Sequence, residues 1–130
     1  MARAPRPRPA LARNFRVELG RGADASGVSQ VILPRFATQP GVGEAEPLLV
    51  LRRAASEDRL FHDWWEEWRG GGGKARVVTV TMLAADMTPI FAWRFAGARP
   101  AALGYGLIDS TLDGMLDETL EIAFDRMERV

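Results

Sequence analysis

Ser56-Glu57-Asp58-Arg59-Leu60-Phe61-His62-Asp63-Trp64-Trp65-Glu66-Glu67-Trp68-Arg69, closed by Gly70 to Gly73, decides the architecture of this chain. Leu60, Phe61, Trp64, Trp65 and Trp68 recur at i, i+1, i+4, i+5 and i+8, a broad apolar stripe at helical spacing. Asp63, Glu66, Glu67 and Arg69 fill the other face. Ser56 is the expected N-cap, its hydroxyl accepting from a free amide of the first turn. Glu57 and Asp58 then bring negative charge to the positive end of the helix dipole. The glycines end the helix, because Gly takes the left-handed conformation past a helix terminus without steric cost. Aromatic side chains bury about 150–250 Å² each, so this helix must lie against another layer.

Outward from the helix, almost everything reads as strand. Phe15, Val17 and Leu19 alternate with Arg16 and Glu18, the period of a half-buried strand. Gly20 to Gly27 is a loop, and Val28 to Leu33 returns as a second strand, expected to form a hairpin with the first. Pro34 to Pro47 reads as an irregular connection, and Leu48 to Arg52 as a short buried strand leading into the helix. Arg76 to Leu83 and Ile90 to Ala96 form a hairpin about a turn at Asp86; Phe91, Trp93 and Phe95 share one face. Gly97 and Pro100 interrupt the chain, so Arg99 to Ile108 is expected as an edge or irregular strand, followed by a loop over Asp109 to Gly114. Met115 to Met127 fits a helical face, while Leu116, Leu120, Ile122 and Phe124 against Asp117, Thr119, Glu121 and Asp125 fit a strand. Periodicity leaves both open.

The 130 residues suit one domain. Residues 1–13 form an Arg/Pro segment that is either a disordered tail or an arm ordering on a partner subunit or polyanion. Residues 14–130 form the globular domain. A formal net charge of zero gives no global case for nucleic-acid binding. Without cysteine there is neither a disulfide nor a thiolate metal site. No apolar run approaches the ~18–20 residues of a membrane span, so no membrane insertion by this chain is expected. The arginines at the N-terminus are not followed by the apolar core of a signal peptide.

Chemistry-bearing patterns are weak. Gly70 to Lys74 imitates a phosphate loop, but Trp68 stands where its first glycine should be and Ala75 where a Ser or Thr should hold magnesium. His62 is the only histidine, so no pair of imidazoles can ligate a metal. Asp117, Glu121 and Asp125 make a solvated acidic face if their segment is a strand. No catalytic, cofactor or metal residue is assigned, and no enzyme is expected. Phe61, Trp64, Trp65, Trp68, Phe91, Trp93 and Phe95 are the expected aromatic core, with Trp64, Trp65, Phe91, Trp93 and Phe95 in one cluster between helix and sheet.

Several segments, taken in order, resemble the tail tube proteins of contractile phage tails and related injection systems. Asn14-Phe15-Arg16-Val17-Glu18-Leu19 and Gly27-Val28-Ser29-Gln30-Val31 resemble the opening two strands of that family. Leu49-Val50-Leu51-Arg52-Arg53 and the helix with Trp64 and Trp65 are similar to its Leu-x-Arg-Gly strand and aromatic helix. Arg76 to Leu83, then Ile90-Phe91-Ala92-Trp93-Arg94-Phe95 with Ala98-Arg99-Pro100, are similar to its central strands. Glu118-Thr119-Leu120-Glu121-Ile122-Ala123-Phe124 resembles its closing strand, which settles the ambiguity above as strand.

The resemblance implies an antiparallel β-barrel or sandwich of about six to seven strands, with the aromatic helix packed outside. It also implies a structural subunit in six-membered rings around a conduit for DNA or effector cargo. Other copies, a tail tube paralogue, sheath and baseplate proteins are the implied partners, with assembly in the bacterial cytoplasm. Subunit contacts are expected at Val28, Val31, Leu33, Pro34, Arg35 and Phe36, and at Glu118, Leu120, Ile122 and Phe124. One departure stands out. Pro34 to Pro47 replaces a long extended pair with its Tyr-Arg-x-Gly and Lys-Leu-Pro-Gly motifs, and Ala54 replaces a glycine. A tube-end or baseplate-adaptor paralogue is therefore the alternative, and a monomeric β-barrel binding module the second one.

Overall fold

The computed structural model describes residues 6–20, 25, 27–38 and 47–130. Its elements run β1 (Phe15–Leu19), β2 (Val28–Ile32), β3 (Leu49–Ala54), α1 (Leu60–Arg69), β4 (Arg76–Leu83), β5 (Pro89–Tyr105), β6 (Asp117–Ala123) and β7 (Arg126–Arg129). The strands follow the path β1-β4-β5-β6-β3-β2, all antiparallel, with β7 added on β5. The expected class, mainly β with one aromatic helix, is what forms. Barrel closure is not found among the described residues: β1 and β2 are the two ends of the path rather than the expected hairpin. The turn side chains that would drive local pairing lie in Gly20 to Gly27, mostly outside the described residues. β1 instead pairs with the β-branched-rich β4, Val17 opposite Val80 and Leu19 opposite Val78.

β5 organises the sheets. Expected as a strand, a break and an edge segment, it is one strand of 17 residues. Its first part pairs with β4 and β7, and Arg99 to Tyr105 pairs with β6. The change of partner happens at Gly97, in the left-handed region at φ 67°, and at a bulge between Pro100 and Ala102. Gly97 and proline thus bend the strand from one sheet into the other without ending it. A Cβ on Gly97 would run into the Asp125 carboxyl. The last strand, β7, has no counterpart in the sequence reading; its four residues alternate too briefly to show a period.

Side chains facing the interior form cross-strand rows. Leu19–Val78–Phe95 is fully buried, Val17–Val80–Trp93 comes next, and Phe15–Met82–Phe91 lies at the more open end. In the other sheet Leu49–Ile122 and Leu51–Leu120 are fully buried. α1 packs on β5 and places Phe61 and Trp64 in the same core. The aromatic set therefore divides rather than forming one cluster. Phe61, Trp64 and Phe95 are central, while Trp68 and Trp93 are packed against them half-buried. Trp65 lies near His62 and Arg69 on the helix flank. Phe91 meets Trp93 edge-on and lies under Arg129. A helix stripe five positions wide is broader than the face one sheet can cover.

The helix starts later than its sequence suggests. Arg59 is at its N-cap without a side-chain cap bond. Ser56 accepts instead from the Asp58 amide, and Asp58 from the Leu60 amide, so the cap chemistry winds the turn before the helix. Its C-terminus follows expectation: Gly71 is left-handed at φ 85° and the Gly72 amide bonds back to Glu67. Trp68 donates its indole N–H to the Lys74 carbonyl across the glycines, which form a turn.

Trp64→Ala is expected to destabilise the subunit by about 3–5 kcal/mol, the usual cost of emptying a fully buried aromatic site. Trp65→Ala, at a half-exposed position, should cost well under half of that. Urea unfolding of the two variants checks the contrast.

Candidate assembly surface

The interior of the sheet formed by β3, β6 and the second part of β5 ends in a polar row. Arg53, Glu118 and Tyr105 lie in register on adjacent strands. Arg53 Nε donates to Glu118 Oε1 at 2.7 Å, and Tyr105 Oη donates to Glu118 Oε2 at 2.9 Å. Arg53 also donates from Nη1 to Asp58 Oδ2 at 3.0 Å and from Nη2 to the Asp58 carbonyl at 3.1 Å. Its guanidinium carbon lies 4.0 Å from the centre of the Phe61 ring. Strand pairing sets the row, and the entry turn of α1 closes it. Burial, followed by the hydrogen bond to Glu118 and its charge, pushes the Tyr105 hydroxyl above its usual ionisation range.

These contacts reassign several expected interface residues. Glu118, Leu120 and Ile122 point into their own subunit and are buried. Phe124 stacks edge-on with Phe95 at 5.0 Å between ring centres. β6 is bonded on both sides, to β3 and to β5, so the edge expected at Glu118 to Phe124 is interior. Alternation identified the strand but did not show how many neighbours it has. The first expected set lies differently. Among the described residues β2 pairs only with β3; Val28, Val31 and Leu33 are half-buried against the core, Pro34 is buried, and Arg35 and Phe36 are exposed. The Pro34 to Pro47 expectation falls in part on residues 39–46, outside the described residues.

The second part of β5 is an unpaired edge, as expected for Arg99 to Ile108, although none of its residues was among the expected subunit contacts. From Arg99 to Tyr105 it pairs with β6 and with no other strand among the described residues. Where the sheets part, a cleft of about 530 Å³ opens between β2 and the β1–β4–β5 face, lined by Phe15, Val31, Leu33, Met82 and Trp93. No group of three His, Cys, Asp or Glu side chains that could hold a metal occurs among the described residues. His62 is half-exposed, 3.8 Å from Glu66. No described helix is long and apolar enough to cross a membrane.

Residues 25–128 match the family model of the T4-like virus tail tube protein gp19. The chain belongs to that family. It is a structural tail tube protein of a contractile phage tail or injection particle, and not an enzyme. Solved structures carry the same fold at low sequence identity. A chain of the PVC sheath-tube complex in its extended state, an extracellular contractile injection system, superposes with a TM-score of 0.72. It is 15% identical, with 94% of this chain and 91% of that one covered. A chain of the six-fold symmetrised anti-feeding prophage baseplate gives 0.71 at 19% identity, over 95% and 96%. The tube-terminating cap of the anti-feeding prophage gives 0.74 at 14%, over 99% and 95%. No curated protein sequence matches significantly.

The chain has one tyrosine, which makes the polar row directly observable. Alkaline titration of Tyr105 absorbance should give a midpoint above the usual value of about 10. In Glu118→Gln the midpoint should fall, because the carboxylate charge that opposes ionisation is gone. A midpoint unchanged by Glu118→Gln would contradict this account of the site.

Proposed function

We propose that this tail tube protein closes into six-membered rings by pairing the β2 edge of one copy with the Arg99–Tyr105 edge of the next. The observation that supports it is the order β2-β3-β6-β5, a four-stranded sheet with one open edge at each end. Direction alternates at every step, so β2 and β5 run oppositely. Placed side by side, copies then continue an antiparallel ladder across every seam. Ring closure removes both edges at once, which is how sheets avoid open-ended association. The outer face of this sheet presents Gln30, Ile32, Val50, Arg52, Thr119 and Glu121, with Ala102 and Gly104, a mostly polar and small-residue surface suited to a conduit wall. DNA or an effector protein is the cargo such a wall would pass, and sheath and baseplate proteins are the neighbours such a ring would meet.

A tube-end position is the second reading. The short Pro34 to Pro47 connection supports it, because it lacks the motifs of the extended pair that helps stack rings in the family. Its three prolines also withhold amide donors.

Analytical ultracentrifugation should show an assembly near 86 kDa, six chains of 14.3 kDa each. Ile32→Lys, a charge at a partly exposed edge position, should shift it to monomer while leaving the circular dichroism spectrum intact. Monomer for the unaltered protein at micromolar concentration would refute ring formation. Electron microscopy separates the two positions: long regular tubes from the purified protein alone exclude the tube end, whereas single rings or short stacks support it.

A further inference from the structure

The segment joining β5 to β6, residues 106–116, carries more exposed apolar surface than any other described loop. Leu107 is 74% exposed, Ile108 83%, Leu112 55% and Met115 82%. Scattered exposed apolar residues are ordinary, but four within nine positions of one loop mark a contact surface. The loop is ordered by its own polar groups: Asp109 accepts from the Thr111 amide and hydroxyl, which hold its carboxyl below the usual range. Charge then restricts what can cover it. Within 106–116 the charged residues are Asp109 and Asp113, both acidic, and Asp117 follows at the start of β6, while Glu118 and Asp125 are already paired with Arg53 and Arg99. An occupant must be apolar in part and basic.

One segment of the same chain has that chemistry. Residues 1–13 contain Arg3, Arg6, Arg8 and Arg13, no acidic residue, and Pro5, Pro7, Pro9 and Leu11. Alternating proline favours an extended helix that loses little entropy on docking. The two segments leave from opposite ends of β5. Phe15, just after the arm, is in register with Met82, and Leu83 with Pro89 at the start of β5; the Asp86 carboxyl in the turn before it is held below its usual range chiefly by the Thr88 hydroxyl and amide, with a lesser contribution from the charge of Arg8. The 106–116 loop begins where β5 ends, after Tyr105. Complementary surfaces at opposite ends of a subunit suit a head-to-tail contact, which repeats without closing.

We propose that the Arg/Pro arm of one copy docks on the acidic, apolar 106–116 loop of a copy in the adjoining ring. This rests on the ring-forming reading above. The arm thereby supplies an axial contact that the short Pro34 to Pro47 connection does not.

The absence of cysteine makes the test clean. Ala10→Cys and Ser110→Cys are prepared as separate full-length variants, mixed during assembly and mildly oxidised, so that only contacts between chains can form a mixed disulfide. Docking raises the effective concentration of the two thiols, and the mixed pair should exceed a control pair of Ala10→Cys with Glu67→Cys by roughly tenfold. Arg8→Glu and Asp113→Arg, added singly on the Cys backgrounds, should each reduce that yield severalfold, and together should restore it. Rings intact by ultracentrifugation with a mixed yield no higher than the control would overturn the docking and leave the rings standing. That outcome would point to a cap or baseplate protein as the occupant of the loop. Loss of rings in the unaltered protein would overturn the ring reading and the docking with it.

Discussion

Arg53 and Glu118 are two opposite charges withdrawn almost completely from water, at 2% and 4% exposure. Removing one partner from such a pair leaves an uncompensated buried charge, at a cost of about 3–5 kcal/mol. The arrangement tolerates burial because both partners are multiply hydrogen-bonded, Glu118 from Arg53 and Tyr105, Arg53 to Glu118 and Asp58. Those bonds tie together β3, β6, the far end of β5 and the turn that starts α1. A one-residue slip of β6 against β3 would move Glu118 off Arg53 and place it on the opposite face. The pair therefore fixes the register of the sheet whose edges remain open. It also fixes where the helix begins: with Asp58 held by Arg53 while it caps the Leu60 amide, the helix starts after Arg59 rather than at Ser56.

Local signals in the sequence were read correctly where a strand has one buried face. β1 and β4 alternate and β3 is a short apolar run, and each was placed within two residues of its observed bounds. The aromatic helix and its glycine stop were equally plain, since amphipathic spacing and a left-handed glycine are properties of the segment alone. Pairing was harder. Nothing local in Phe15 to Ile32 says that β1 and β2 belong to opposite ends of the strand path. Pro100 argued rightly for an edge, but β5 runs on through it as one strand, because a bulge absorbs the missing amide.

The assembly surface was legible in part. β2 reads as a strand followed by exposed Arg35 and Phe36, and it is an edge. Glu118 was placed at an interface because its strand was expected to be an exposed edge; β6 has a neighbour on each side, and Arg53, 65 positions away, buries the carboxylate. The second open edge was signalled by Pro100, which put Arg99 to Ile108 at an edge, but which sheet that edge belongs to depends on where β4 stops. Leu107, Ile108, Leu112 and Met115 were visible as letters, yet in a loop without period they gave no signal until their exposure was known.

An even number of alternating strands between the two open edges has a geometric consequence. If copies join through those edges, every seam looks like an ordinary strand pair, and hydrogen bonding is equally satisfied in a ring of five, six or seven. The count must then be set by angle, through the twist each sheet carries and the tilt at which one copy meets the next. Small side chains such as Ala102 and Gly104 on the concave side would act as spacers in that wedge. Enlarging them would change the circumference of the ring before it changed the strength of the joint.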